Sequence, residues 1–299
     1  MTVQEAKHRL QFQLRNIYDE REAATITDWV MEHITGMSKV DRLIRKDDPL
    51  TPHQKMVIEK HLAELTSHKP VQYVLGEAWF RGMKFYVNEN TLIPRPETEE
   101  LVELLVQHEQ QKTVRQHSCS ILDIGTGSGC IPISIKKSLP WAQVSSCDIS
   151  ESALEVAQHN AKKLQQNIDF FILDFLDEEK WQNVSRFDCI VSNPPYIPLS
   201  DKETMDNNVV MYEPWQALFV ENERPLIFYE AIARFATTHL LPGGSIYVET
   251  HESNADAVKN LFVESNLGNV EVHKDMQGKK RFVVANQKRN GETEKRRNR

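Results

Sequence analysis

Four residues at 193–196, Asn-Pro-Pro-Tyr, follow the apolar run "RFDCIVS". Proline cannot donate to a sheet ladder, so a strand through that run must stop there. A stop built from two prolines also holds a polar side chain stiffly at the strand end. The Asn193 side-chain oxygen and the Pro194 carbonyl are two acceptors in fixed relation, and Tyr196 offers a ring face to a flat group. That pairing suits a planar amide or aromatic amine, whose nitrogen lone pair is delocalised. Accepting both of its N–H bonds in a geometry that favours a tetrahedral nitrogen frees the lone pair to attack. The prolines hold the acceptors in advance, so little reorganisation is needed. An Asn-Pro pair is also an ordinary turn, so the company it keeps decides between the readings.

That company is a set of strand ends. The run "CSILDI" leads into Gly125-Thr126-Gly127-Ser128-Gly129, a turn whose glycines let a ligand approach the main chain. A lone glycine-rich turn is a weak nucleotide signal. Asp148 ends the next strand, 19 residues after Gly129; an acid there can accept from both hydroxyls of a ribose. Its plainer reading is a helix-start acid before Ser150, favourable to the helix dipole. Asp174 and Phe175 end a third strand, where the acid can accept from an adenine amine and the aromatic can cover the ring. Their plainer reading is a loop acid beside a core Phe. Ligands of parallel sheets bind at the carboxyl ends of the strands, and all four stretches fall at such ends.

The elements that position them alternate. From residue 119 the chain runs strand, Gly-rich turn, helix "CIPISIKKSL", strand "AQVSSCDI", helix "SESALEVAQHNAKKLQ" capped by Ser150, then strands "IDFFIL" and "RFDCIVS". A helix "RPLIFYEAIARFATTHL" closed by "LPGG", a strand "SIYVET", a helix "ESNADAVKNLFVES" and two strands joined by "MQGK" complete it. Such repetition predicts a parallel sheet covered by helices, with an antiparallel hairpin at one edge. Residues 1–75 are helical in pattern: Val3, Ala6, Leu10 and Leu14 fall near a 3.6 period, and Thr51-Pro52 is an N-cap with proline at the first helical position. Residues 76–93, aromatic and punctuated by Gly76 and Gly82, predict a hairpin linker. A helix starts at "PETEELVELLV" with acids in its first turn.

Composition narrows the partners. The chain has 299 residues, 40% hydrophobic and 26% charged, with no apolar leader and no run long enough to span a bilayer. A soluble, cytoplasmic protein is the expectation. Residues 1–75 hold 11 basic and 11 acidic side chains, and residues 286–299 hold 6 and 2. Of the formal charge of −7, residues 76–285 therefore carry −11, offset by the basic tail, which argues against a duplex-binding footprint. The tail 287–299 is basic and polar, and is expected to be disordered. The four cysteines, Cys119, Cys130, Cys147 and Cys189, lack a CxxC spacing and are read as small buried thiols, with no metal site.

Taken together, "DIGTGSG", Asp148 and "NPPY" resemble S-adenosylmethionine-dependent methyltransferases that act on exocyclic or amide nitrogen. The stretches "GEAWFRGMKFYVNENTLIPRPETEELV", "NNVVMYEPWQAL" and "KDMQGKKRFVVA" are similar to the HemK/PrmC family, the peptide chain release factor glutamine methyltransferases. The resemblance spans roughly residues 1–286, and "LIPRPETE" combined with "NPPY" is more specific than either alone. It implies an α/β fold: a seven-stranded, Rossmann-like methyltransferase sheet, mostly parallel with an antiparallel edge hairpin, behind a small helical bundle. The implied domains are a substrate-docking bundle at 1–75, the linker, and a catalytic domain at 94–286. The implied reaction is methyl transfer from S-adenosyl-L-methionine to the side-chain nitrogen (N5) of the GGQ glutamine in class I release factors. Gly125, Thr126, Gly127, Ser128, Gly129, Asp148, Asp174, Phe175 and Asn193 would bind the cofactor, and Asn193, Pro194, Pro195 and Tyr196 would grip the substrate without a metal. Two departures stand out. Phe175 occupies a position where relatives often carry Trp, and Glu249-Thr250-His251 stands where a Glu followed two residues later by Gly is expected. Arg95 and Glu97 fit either a structural ion pair or cofactor-site residues; the structural reading is favoured, because a buried Arg needs a partner.

Three rival functions remain open at this point. A nucleic-acid amino-group methyltransferase would use the same acceptor geometry on a flipped base, but the acidic central region and the lack of a recognition insertion oppose it. A non-catalytic cofactor-binding scaffold is opposed by the intact tetrapeptide. A dinucleotide oxidoreductase is opposed by the glycine spacing and the prolines.

Overall fold

The structure is a computed structural model that describes residues 1–112 and 119–287, so the tail beyond Gln287 lies outside the described residues. Two compact units emerge: Met1–Glu77 with Met205–Tyr212, and Ala78–Thr204 with the chain from Glu213 onward.

The first unit is helical: Val3–Leu14, Glu20–Thr35, Lys39–Ile44, Pro52–Thr66, Val71–Leu75 and the short Asn207–Tyr212. Val3, Ala6, Leu10 and Leu14 form the buried face of the first helix and pack with Ile58, Leu62 and Leu65. Thr2 and Thr51 each close a capping box, with Glu5 and Gln54 as the reciprocal partners. Residues 205–212 belong to this unit, whereas the resemblance implies a catalytic domain running unbroken over 94–286. The Tyr212 hydroxyl donates to the Ser67 carbonyl at 2.7 Å, a pairing across 145 residues that no local pattern announces.

The second unit opens with a hairpin, β1 (Ala78–Phe80) and β2 (Met83–Phe85), turned through Arg81-Gly82. After the helix Pro96–Gln111 come β3 (Ser120–Ile124), β4 (Gln143–Asp148), β5 (Asp169–Ile172) and β6 (Phe187–Ser192). A two-residue pair follows, β7 (Ile197–Pro198) with β8 (Phe219–Val220). The chain ends in β9 (Leu240–Glu249), β10 (Gly268–Lys274) and β11 (Lys280–Asn286). The main sheet has seven strands in the order β10-β11-β9-β6-β3-β4-β5. From β9 to β5 the pairs are parallel; β11 is antiparallel to both β9 and β10, and β10 is the edge. Side chains alternate between two cores, as a pleat requires: Cys189 and Val191 face one with the helix Pro96–Gln111, and Ile190 faces the other with the helix Ile227–His239.

One boundary is corrected. "LPGG" reads as a loop closing the helix, yet β9 begins at Leu240 and carries those residues as an irregular stretch opposite β6. A Cβ on Gly244 would lie 2.7 Å from the Asp188 carbonyl, so the glycine marks close backbone approach at a bulge, not a loop. All four cysteines are buried and unpaired; Cys119 and Cys189 direct their thiols at the buried Glu109 carboxylate. No helix among the described residues is long and apolar enough to cross a membrane.

Candidate active site

The carboxyl ends of β3, β4, β5, β6 and β9 carry the residues of interest. β3 runs into the glycine turn, whose Gly125 and Thr126 N–H groups both donate to the Cys147 carbonyl at the end of β4, at 2.9 and 3.1 Å. Gly125 and Gly127 adopt left-handed φ of 78° and 53°, and a Cβ at either would meet nothing within 4 Å. That is the arrangement of a cradle: a backbone that needs glycine, facing open space. Gly129 differs. A Cβ there would lie 3.0 Å from Ile133 and 3.1 Å from Ala157, so it serves the close packing of the helix Cys130–Ser138 against its neighbour. Thr126 and Ser128 are buried beside it. Asn160, fully buried, clamps the turn: its amide nitrogen donates to the carbonyls of Ser128 (2.9 Å) and Tyr86 (2.8 Å), and its oxygen accepts from Tyr86 N (2.7 Å).

Asp148 ends β4. Its Oδ2 accepts from Gly127 N and its Oδ1 from Ser150 N, both at 2.9 Å. A carboxylate has about four lone-pair sites, so each oxygen keeps one for a ligand. Burial raises the carboxyl above its ordinary value, while the N–H groups of Ser150 and Gly127 oppose that rise. Ser150 caps the following helix by accepting from Ala153 N. Asp174, past β5, accepts from Leu176 N at 3.1 Å and so shapes its own turn. Phe175 is a core residue, 5% exposed, with its ring 5.4 Å from Trp181 and 5.2 Å from Phe235. The structure brings its backbone to the strand ends but sets its ring among aromatics, the plainer of the two readings.

β6 lies beside β3, with Ser192 opposite Ile124, so Asn193-Pro194-Pro195-Tyr196 starts where the glycine turn starts. Pro194 is buried, and Asn193, Pro195 and Tyr196 are half-buried. The Asn193 amide nitrogen donates to the Thr98 hydroxyl at 3.0 Å. Thr98 donates in turn to Glu249 Oε2 at 2.7 Å. Both partners are nearly inaccessible, at 3% and 2% exposure. Burial pushes the Glu249 carboxyl up to about 7, against the opposing pull of Thr98 and Arg281. The Tyr196 ring lies 6.4 Å from that of His251, and burial holds its hydroxyl proton tightly. Neither Thr98, which lies within "LIPRPETE", nor Glu249 stands out as a functional residue from sequence alone. The motif that contains Thr98 was the available signal.

The Arg95 ion pair exists with a different partner. Arg95 Nη2 lies 2.6 Å from Glu213 Oε1, and Glu213 also accepts from Ile93 N at 3.1 Å. Glu97 instead accepts from Gln277 Nε2 at 3.4 Å. Positions 95 and 97, two apart at the helix start, point to different sides of the turn, which is why the neighbour in sequence is not the neighbour in space.

A glycine cradle facing open space and an acid with spare lone pairs fit a nucleoside-bearing cofactor at the β3 and β4 ends, with the β6 tetrapeptide adjoining it. The sequence matches the profile of the Methyltransferase small domain over residues 97–212, which sets the class of the catalytic unit, and that of the PrmC N-terminal domain over residues 5–76. The release factor glutamine methyltransferase of Flavobacterium psychrophilum is 41% identical over 93% of this chain and 98% of its own length. That of Bacteroides thetaiotaomicron is 38% identical over 91% of this chain and 96% of its own. The chain belongs to the release factor glutamine methyltransferase family. Among solved structures, a methyltransferase from Pyrococcus furiosus aligns with 80% of this chain and 100% of its own at 16% identity and a TM-score of 0.47.

Proposed function

We propose that this protein transfers a methyl group from S-adenosyl-L-methionine to the side-chain amide nitrogen of the GGQ glutamine in class I peptide chain release factors. The observation that carries the reading is the half-buried Asn193 at the end of β6, its nitrogen committed to Thr98 and its oxygen on the opposite side of the amide. S-adenosyl-L-methionine, when bound, supplies a methyl group activated on a sulfonium. Asp148 accepts from the ribose hydroxyls with its two remaining lone pairs, and Gly125 and Gly127 admit the ligand to the main chain. Asn193 Oδ1 and the Pro194 carbonyl accept the two N–H bonds of the glutamine amide and favour a tetrahedral nitrogen. Pro194 and Pro195 hold those acceptors, and Tyr196 faces the flat amide. The amide nitrogen becomes acidic only as its new bond forms, and its surplus proton passes along the hydrogen bonds at Asn193 and Pro194 toward water.

The helical unit is assigned to docking of the protein substrate. Its residues 1–75 are balanced in charge, and it carries none of the strand-end chemistry. Incubation with radiolabelled S-adenosyl-L-methionine and a purified class I release factor tests the whole reading. Label should enter the intact factor and not a variant whose GGQ glutamine is alanine. Equal labelling of both, or labelling of duplex DNA in preference to either, would count against it.

A further inference from the structure

The hydrogen-bond chain Asn193–Thr98–Glu249 has a polarity fixed by chemistry. A hydroxyl carries one hydrogen, and a carboxylate only accepts. With Glu249 ionised, the Thr98 hydrogen goes to Oε2 at 2.7 Å. Thr98 then has only lone pairs to offer Asn193, which must turn its NH2 toward it, at 3.0 Å. The two flip states of an asparagine amide are nearly isosteric, so packing alone does not select between them. We infer that Thr98 and Glu249 are positioning residues that lock the Asn193 amide with its oxygen toward the substrate. The inference rests on the reading that Asn193 accepts an N–H of the glutamine amide.

Three elements converge to make this lock: the first turn of the helix Pro96–Gln111, the end of β9 and the end of β6. Their burial keeps water from substituting for either hydroxyl bond. Tyr229 donates to the Glu249 main-chain carbonyl at 2.9 Å and fixes that strand end. The charged and titratable groups acting on the Glu249 carboxyl are Arg281 from β11, Arg95 and Glu97 at the start of the helix, Tyr196 after β6, Tyr229 from the helix Ile227–His239 and Cys130 from the helix Cys130–Ser138. A protonated Glu249 could donate to Thr98, which could then donate to Asn193 Oδ1. The amide would reverse and present NH2 to a substrate that itself offers only N–H, so turnover should fall as Glu249 gains its proton.

The test uses the full-length protein with Thr98→Val, Thr98→Ser and Glu249→Gln. Loss of one orienting hydrogen bond should lower kcat about tenfold in Thr98→Val at saturating substrate, with cofactor affinity unchanged, while Thr98→Ser should return to within about threefold of wild type. The wild-type kcat should decline below about pH 7, near where the Glu249 carboxyl titrates, and Glu249→Gln should lose that decline. A second readout needs no turnover. The Asn193 side-chain NH2 resonances of the cofactor-free protein, assigned by their loss in Asn193→Ala, should titrate with Glu249 and stop titrating in Glu249→Gln. Wild-type kcat and pH profile in Thr98→Val, or equal impairment of the Val and Ser variants, would overturn the lock. So would Asn193 resonances indifferent to Glu249. If the wild-type protein methylated no release factor, the proposed substrate would fall, and the resonance titration would still decide the lock by itself.

Discussion

Replacing Asp148 probes the cofactor site at the atom level. Its carboxylate holds Gly127 N and Ser150 N at 2.9 Å each, and in the function proposed above its remaining lone pairs accept from the two ribose hydroxyls. Asp148→Asn keeps one oxygen and turns an NH2 toward a backbone N–H, so one ribose bond and one loop bond are lost together. Asp148→Ala loses all four. Hydrogen bonds to charged groups contribute about 1.5–3 kcal/mol. Asp148→Asn should therefore weaken S-adenosyl-L-methionine binding about tenfold, and Asp148→Ala about a hundredfold. Isothermal titration calorimetry measures both, and thermal melts without cofactor establish that each variant is folded. Affinity should also fall with pH sooner than an exposed aspartate would allow, because burial raises this carboxyl and only its ionised form accepts from both hydroxyls. A folded Asp148→Ala that binds at wild-type affinity would remove Asp148 from the site and with it the ribose reading of the β4 end.

Other expectations follow from the same geometry. Asn193→Ala should lower the single-turnover rate about a hundredfold, by analogy with losing a preorganised oxyanion donor, with a smaller effect on cofactor titration; near-normal turnover would reduce the tetrapeptide to a rigid turn. Glu249→Gln should be more stable than wild type at pH 8 and similar at pH 4. The folded carboxyl, raised to about 7 by burial, binds its proton more tightly than the unfolded one. Stability is thus complete below the unfolded value and is lost as pH rises through about 7, by on the order of 3 kcal/mol. Denaturant melts at the two pH values check this, and equal stabilities at pH 8 would show that Glu249 is not strained by ionisation. Arg95→Met should cost about 3 kcal/mol by leaving the buried Glu213 carboxylate unpaired, with partial recovery in Arg95→Met/Glu213→Gln; additive losses in the double variant would deny the pair.

The parts of the site that lie along one stretch of chain were readable without a structure. "RFDCIVSNPPY" shows an apolar strand stopped by proline, and β6 ends at Ser192. Ser150 follows Asp148 as a helix cap, so the end of β4 is marked by the start of the next helix. What escaped notice depends on topology. Asn193 and Thr98 are separated by 95 residues and Thr98 and Glu249 by 151, so their meeting needs the strand order that sets β9 beside β6. Arg95 and Glu213 are separated by 118 residues, so the sequence around Arg95 offers only the nearby Glu97 as a partner. "LPGG" misled for a different reason: proline and glycine signal a loop, but here they shape an irregular strand whose backbone approaches Asp188 too closely for any side chain. Phe175 satisfied a position expected to hold an aromatic, and only the packing of Trp181 and Phe235 shows where its ring is used.

In the proposed reaction the acceptors at Asn193 and Pro194 direct a methyl group to the amide nitrogen of one glutamine. Tandem mass spectrometry of a class I release factor after incubation with the enzyme and S-adenosyl-L-methionine tests it most directly. A single added methyl group should appear on the side-chain nitrogen of the GGQ glutamine, present with wild type and nearly absent with Asn193→Ala in the same time. A methyl group on a carboxylate, a lysine or another glutamine, or an unmodified GGQ peptide, would contradict it.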